Sequence, residues 1–195
     1  MSAIASLMLM LDVPREQKEE LLYNYLQWGI DLRGTISVGN EWSSDGGHWQ
    51  GRKWPILFAG IMFEDPAFLN LGETKFQEDM DTYYGEGADG QKALWQMVWH
   101  TGPVPPYQEK PRSEYTKTDK KSENYRFINS SASFGIALAA RLMGAKDLWD
   151  HDPFFDYIDY YMGPDEQYSF PRWLPKGATR SADPFVEDMW EEYRY

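Results

Sequence analysis

The sequence predicts an all-α protein built from helical hairpins, and three observations carry that expectation. Apolar residues recur at helical spacing over much of the chain, as in Leu21, Tyr25, Trp28 and Leu32, then Phe134, Leu138 and Leu142, then Phe154, Ile158, Tyr161 and Met162. The helix start signal Asp-Pro recurs in DPAF (65–68), DPFF (152–155) and DPFV (183–186), an Asp N-cap followed by proline at the first helical position. No part of the chain reads as a strand-rich sheet.

Taken in order, the opening MSAIASLMLMLDVP predicts a buried helix over 2–11, or the remnant of one whose partners lie in a longer chain. It has no basic segment before it, and Asp12 and Pro14 follow at once, so it suits neither a membrane span nor a signal peptide. From Pro14 a long amphipathic helix runs towards Gly39, with a wet start in which Arg15 and Glu19 pair at i,i+4. Pro55 fits the first turn of the next helix, and residues 56 to 63 carry no polar side chain, which makes it an inner helix. Asp65-Pro66 starts a short segment that Gly72 ends. Thr74 and Gln77 form a capping box ahead of the stripe Phe76, Met80, Tyr83 and Tyr84, closed by Gly85.

Residues 85–92 and 101–126 lack an apolar period and read as loops, the second of them long, with a helical turn between them at Leu94, Trp95, Val98 and Trp99. A helix starts near Ser130, where Gly135, Ala137, Ala139 and Ala140 let a neighbour approach closely, and Gly144 stops it. Asp152 caps the next helix, which Gly163 ends. After a stretch punctuated by Pro and Gly, Asp183-Pro184 begins a last helix ending near Tyr193. The whole, residues 1–195, reads as a single helical domain.

Composition narrows the function. With 42% hydrophobic residues the chain can bury an ordinary core, and aromatics at 16% exceed what core filling needs, which places some of them along a groove. A formal net charge of -12 disfavours nucleic acid and anionic membrane surfaces as partners. The absence of cysteine excludes disulfides and thiolate chemistry and leaves the compartment of a soluble protein open. Asp150, His151 and Asp152 adjoin one another, but His48 and His100 are remote from them, so neither a metal nor another cofactor is expected. HExxH, GxSxG and phosphate-loop patterns are missing.

The stretch DGGHWQGRKWPILFAG (45–60) is too elaborate for a simple turn. His48 can act as base or acid near neutrality, between glycines that let backbone approach a ligand. Trp42, Trp49 and Trp54 are of the type that stacks on sugar faces, and Arg52 can grip a carboxylate with two parallel bonds. The alternative is a packed surface loop whose tryptophans cover a helix end. Tyr125, Arg126 and Asn129 lie before the later helix as His48 lies before the earlier one. The segment 108–126, with six basic and four acidic residues, either steers an acidic glycan or is a solvated loop. Glu41 with Asp45, and Asp150 with Asp152, are the carboxylate pairs a glycoside hydrolase could use.

The runs NYLQWGIDLRG, GGHWQGRKWPILFAGIMF and YRFINSSASFGIALAARLMGAKDLWDHDPFFDYIDYYM, within residues 14–162, resemble the later hairpins of α/α-toroid carbohydrate-active proteins, which include polysaccharide lyases and six-hairpin glycosidases. The resemblance implies a partial α/α toroid, because a complete one needs more helices. The chain would then be an incomplete toroid or the C-terminal part of a larger one, with another chain or domain completing it and the parent protein secreted or periplasmic. It further implies cleavage of an acidic, uronate-containing polysaccharide by β-elimination, with His48, Tyr125 and Arg126 as the catalytic set and Trp42, Trp49, Gln50, Arg52 and Asn129 binding substrate. A non-catalytic glycan-binding or toroid-completing module, and a glycoside hydrolase, are the alternatives.

Overall fold

The computed structural model describes residues 1–99, 102–103, 105–163 and 183–194, with 102 and 103 in backbone only. The chain runs α1 (Ser2–Met10), α2 (Arg15–Ile36), α3 (Lys53–Phe63), α4 (Pro66–Leu69), α5 (Gln77–Met80), β1 (Thr82–Tyr84), β2 (Ala93–Trp95), β3 (Val98–Trp99), β4 (Gly102–Pro103), α6 (Lys117–Leu142), α7 (Lys146–Trp149), α8 (Asp152–Met162) and α9 (Pro184–Tyr193). A 3-10 turn covers Arg112–Glu114. The described chain is mostly helical, as the apolar periods require. His100 and the punctuated connection between Gly163 and Asp183 lie outside the described residues.

Helix α6 is the centre of the packing: α1, α8 and α9 lie against it, α3 touches it, and α2 packs on α3. The small residues of its second half permit this. A Cβ added at Gly135 would come within 2.5 Å of Val186 Cγ1 and 2.8 Å of Ala3 Cβ, so α9 and α1 both reach the α6 backbone. Around that seam Leu7, Trp54, Leu57, Phe134, Leu138, Phe155 and Ile158 form the buried core, and Trp149 stacks on Phe154 with ring centres 4.7 Å apart. Helix α3 is buried from Lys53 to Gly60, as its lack of a polar face implies, and only its far end, Met62 and Phe63, is exposed.

Local signals hold at several ends. Asp65 and Asp183 accept from the amides of Ala67 and Phe185 at 2.9 and 3.0 Å, each as the N-cap before a proline. Arg15 meets Glu19 at 2.7 Å.

Elsewhere the structure departs from the sequence-based expectation. Helix α6 begins at Lys117, inside the expected loop 101–126, behind a capping box in which the Thr116 side chain accepts from the Asp119 amide and the Asp119 carboxylate accepts from the Thr116 amide. Its first half buries Glu123 and Arg126, which pair with each other at 2.6 Å, so this end has a packed face with no apolar period to reveal it. The helix expected over 74–84 shrinks to α5, whose N-cap is Phe76 rather than Thr74, because Thr82 to Tyr84 pair antiparallel with Ala93 to Trp95. That pairing also replaces the helical turn expected at 94–99, where β3 in turn pairs with β4. His151, not Asp152, occupies the N-cap position of α8, and Asp152 turns instead to Lys146 at 3.2 Å.

Candidate functional site

The segment between α2 and α3 is held from one side by consecutive residues of α5 and its C-cap. Gln77 Oε1 accepts from the Trp49 amide at 2.9 Å, and Glu78 Oε1 accepts from the Lys53 amide at 3.3 Å. Asp79 meets Lys53 Nζ at 2.6 Å and accepts from Trp149 Nε1 at 2.8 Å. Met80 Sδ receives the Ser44 amide at 3.4 Å. Asp81 takes the Ser44 hydroxyl, Gln50 Nε2 at 3.1 Å and Gln77 Nε2 at 3.0 Å. Side chains 77 to 81 therefore each grip the 44–53 segment, and the loop is built rather than slack.

From the other side the segment lies on the first half of α6. Gly46 and Gly47 have φ of +64° and +121°, which side-chain-bearing residues rarely adopt. A Cβ at Gly46 would meet the Trp99 ring at 3.0 Å and Tyr125 Cε1 at 3.4 Å, and one at Gly47 would collide with Asn129 Oδ1. Ser133 donates its hydroxyl to Gln50 Oε1 at 2.9 Å. Trp99 and Tyr125 pack edge to face at 5.6 Å, with Lys121 Nζ over the two rings at 5.1 and 5.9 Å.

The expected site residues thus separate into three groups. His48, Trp49 and Tyr125 belong to surfaces that meet: the His48 side chain is 76% exposed with its Nδ1 3.8 Å from Asp45, Trp49 is 41% exposed, and Tyr125 is half-buried beside Gly46. Gln50 and Asn129 stand beneath that rim, Gln50 as a bridge between Asp81 and Ser133, and Asn129 at 2% exposure. The others face elsewhere. Arg126 is 1% exposed and held by Glu123 at 2.6 and 2.9 Å, so it reaches no external ligand. Trp42, at 7% exposure, stacks on Phe76 with ring centres 5.4 Å apart and presents no face to a sugar. Trp54 is fully buried. Arg52 lies over Trp28 at 5.8 Å and donates to the Gln50 carbonyl at 3.3 Å.

Half of the six basic residues of 108–126 are paired: Lys110 meets Asp119 at 2.7 Å, Arg112 lies 3.7 Å from Asp89 and 3.8 Å from Glu123, and Arg126 meets Glu123, while Lys117, Lys120 and Lys121 are exposed. Lys121 is the exposed basic residue of this group that sits on the rim aromatics. Trp99, Lys121 and the 77–81 strip were not legible as site residues, because QEDMD reads as an ordinary wet helix face. Their roles depend on partners distant in sequence.

Beneath the rim, Gln50, Glu78, Asp81, Asn129, Ser133 and Tyr157 line a small cavity of ≈ 10 Å³, the space of one water. Among the described residues Glu78 Oε2 and Asn129 Nδ2 have no hydrogen-bond partner. Burial, and then the charge of Asp79, pushes Glu78 up to about 7. Burial pushes Asp81 up to about 7 as well, against the opposing hydrogen bonds from Ser44, Gln77 and Gln50. These are the facing carboxyl groups of the site, and they are sealed from a polymer. Glu41 is exposed and pairs with Lys75 at 3.0 Å.

Among the described residues no cluster of three or more His, Asp or Glu is placed to hold a metal ion, and no helix is long and apolar enough to cross a membrane. What the rim offers is an imidazole, a phenol, exposed indole surface and one ammonium on a firmly seated backbone. No protein-family model, curated protein or solved structure significantly matches the chain.

Proposed function

We propose that the chain is a carbohydrate-active protein of the polysaccharide-lyase type, taking an acidic, uronate-containing polysaccharide along the rim made by the 45–51 turn and the first half of α6. The observation that carries this reading is the seating of Gly46 and Gly47 against Tyr125 and Asn129, which lays the segment bearing His48 and Trp49 beside Tyr125, Trp99 and Lys121. In β-elimination a base removes the C5 proton of the uronate, the C4–O bond breaks, and an acid protonates the departing oxygen. One product carries a C4=C5 double bond, and no water is consumed. His48 and Tyr125 are the rim groups able to exchange protons, Trp49 and Trp99 supply flat apolar surface, and Lys121 supplies the charge opposite a carboxylate. On this reading the helices form part of an α/α toroid, with α3 and α6 as inner helices.

The burial of Arg126 favours a second reading, a glycan-binding module without turnover, since it removes one member of the expected catalytic set. One experiment separates the two. Incubation with alginate, ulvan and glycosaminoglycans, followed by absorbance of the unsaturated product, is expected to give a signal that His48→Ala and Tyr125→Phe abolish. Glycan binding that survives both substitutions, without absorbance in any of the three proteins, establishes the module. Neither binding nor turnover on any uronate polymer overturns both.

A further inference from the structure

Glu78 and Asp81 stand at i,i+3 at the end of α5, line one small cavity and hold opposite ends of the same segment: Asp81 the Ser44 hydroxyl and Gln50, Glu78 the Lys53 amide. Their hydrogen bonding is unequal. Three side-chain donors converge on Asp81, whereas Glu78 is met by backbone amides alone, its own and that of Lys53, and leaves Oε2 without a partner among the described residues. Three donors favour the carboxylate form of Asp81, although burial outweighs them and pushes it up to about 7, and a bare oxygen in a buried space suits a carboxylic acid.

We propose that Glu78 and Asp81 form a proton-loaded clamp, in which one proton held on Glu78 Oε2 keeps the 44–53 segment closed on α5 and its loss loosens that segment. Among the described residues Lys53 is the cation whose charge favours the ionised form of Glu78, and burial together with the charge of Asp79 outweighs it. Asp79 is adjacent, but Lys53 Nζ and Trp149 Nε1 are directed at Asp79 itself. Helix α6 lines the cavity with Asn129, Ser130 and Ser133, all neutral. Helix α8 contributes Tyr157, whose hydroxyl accepts from Arg126 at 3.3 Å, and Arg126 is already paired with Glu123. Strand β1 contributes Thr82, whose hydroxyl meets His151 Nε2 at 3.1 Å. Two ionised carboxylates in this cavity would repel with little solvent between them. The clamp goes beyond the glycan reading and does not depend on what the rim binds.

Hydrogen exchange on the whole chain tests it, read at the Trp49 and Lys53 amides that donate to Gln77 and Glu78 and corrected for the intrinsic pH dependence of exchange. Glu78 binds its proton more tightly closed than open, so protection is complete below the ordinary value of 4.5 and is lost as pH rises to about 7. Opening is expected to grow by up to about tenfold per pH unit across that window and then level off. Glu78→Gln, neutral and of the same shape, is expected to make the profile shallower, the remaining slope being that of Asp81, which burial also pushes up to about 7. Asp81→Asn, which sets an amide donor among donors, is expected to lower protection at every pH while keeping the part of the slope that belongs to Glu78. A flat wild-type profile, or an undiminished slope in Glu78→Gln, overturns the clamp. Should Asp81→Asn not fold, the carboxyl carbon resonance of Glu78 in the wild-type chain decides: a midpoint near 7 supports the clamp, and one near 4.5 overturns it.

Discussion

Ser133 donates its hydroxyl to Gln50 Oε1 at 2.9 Å, and this bond ties the rim loop to α6. The other end of the same Gln50 amide donates to Asp81, so one side chain links two buried polar groups from opposite walls. Gln50→Ala removes one bond from each, while Asp81 keeps Ser44 and Gln77 and the Ser133 hydroxyl keeps the Asn129 carbonyl at 2.8 Å. We expect a loss of about 1–3 kcal/mol in urea unfolding, the net worth of two buried hydrogen bonds. Unchanged stability would mean that water replaces the amide without loss.

Gly47→Ala is expected to strain the rim twice over, through a φ of +121° and through collision with Asn129. A backbone held in that region by a residue with a side chain costs about 1–3 kcal/mol. Thermal unfolding should register the loss, and Trp49 emission should report a displaced loop below the transition.

Arg126→Ala separates a structural from a catalytic role. Its guanidinium lies against Glu123 and Tyr157 in the interior, so truncation takes the nearest cation from a buried carboxylate and leaves it only Arg112 at 3.8 Å and the Tyr107 hydroxyl, at a cost of up to about 3–5 kcal/mol. A purely catalytic arginine would leave the urea midpoint where it was. Replacing Glu123 and Arg126 together with apolar residues of similar volume should recover much of the loss.

Acid stability should depend on the same pair. Burial pushes Glu123 up, but the charge and hydrogen bonds of Arg126, with the Tyr107 hydroxyl, outweigh it and hold Glu123 below the ordinary value of 4.5. The folded form therefore binds that proton more weakly than the unfolded chain. The stabilisation is present above about pH 4.5 and is lost as pH falls through the lower folded value. In a series of denaturant titrations from pH 6 to pH 3, Glu123→Gln is expected to start less stable and to lose less on acidification than the wild type.

Trp49→Ala probes the rim without disturbing its support, because the contact with Gln77 uses the backbone amide. Stability should stay within about 0.5 kcal/mol, as for surface substitutions generally. Affinity for an acidic oligosaccharide should fall by about 1 kcal/mol, or roughly fivefold, by calorimetry if Trp49 stacks on a sugar.

The sequence by itself determined the helices whose buried face is apolar and whose ends carry local caps. The stripe of α2, the unbroken grease of α3, the small residues of α6 and the Asp-Pro starts at 65 and 183 all act through neighbours within a few residues, and such signals survive in one dimension. It also marked 45–52 as more than a turn, through glycines and aromatics that a plain connection does not need. Only the tertiary structure decided the rest. The first half of α6 buries Glu123 and Arg126, whose polarity conceals a packed face until each is seen to satisfy the other. Strands β1 and β2 replace helical turns because their hydrogen bonds run to each other across the chain. The same physics disposes of Trp42 and Arg126 as ligand contacts and brings in Trp99, Lys121 and the 77–81 strip. A side chain's role at a site depends on which distant group desolvates or pairs with it, and that is a property of contacts, which spacing along the chain does not encode.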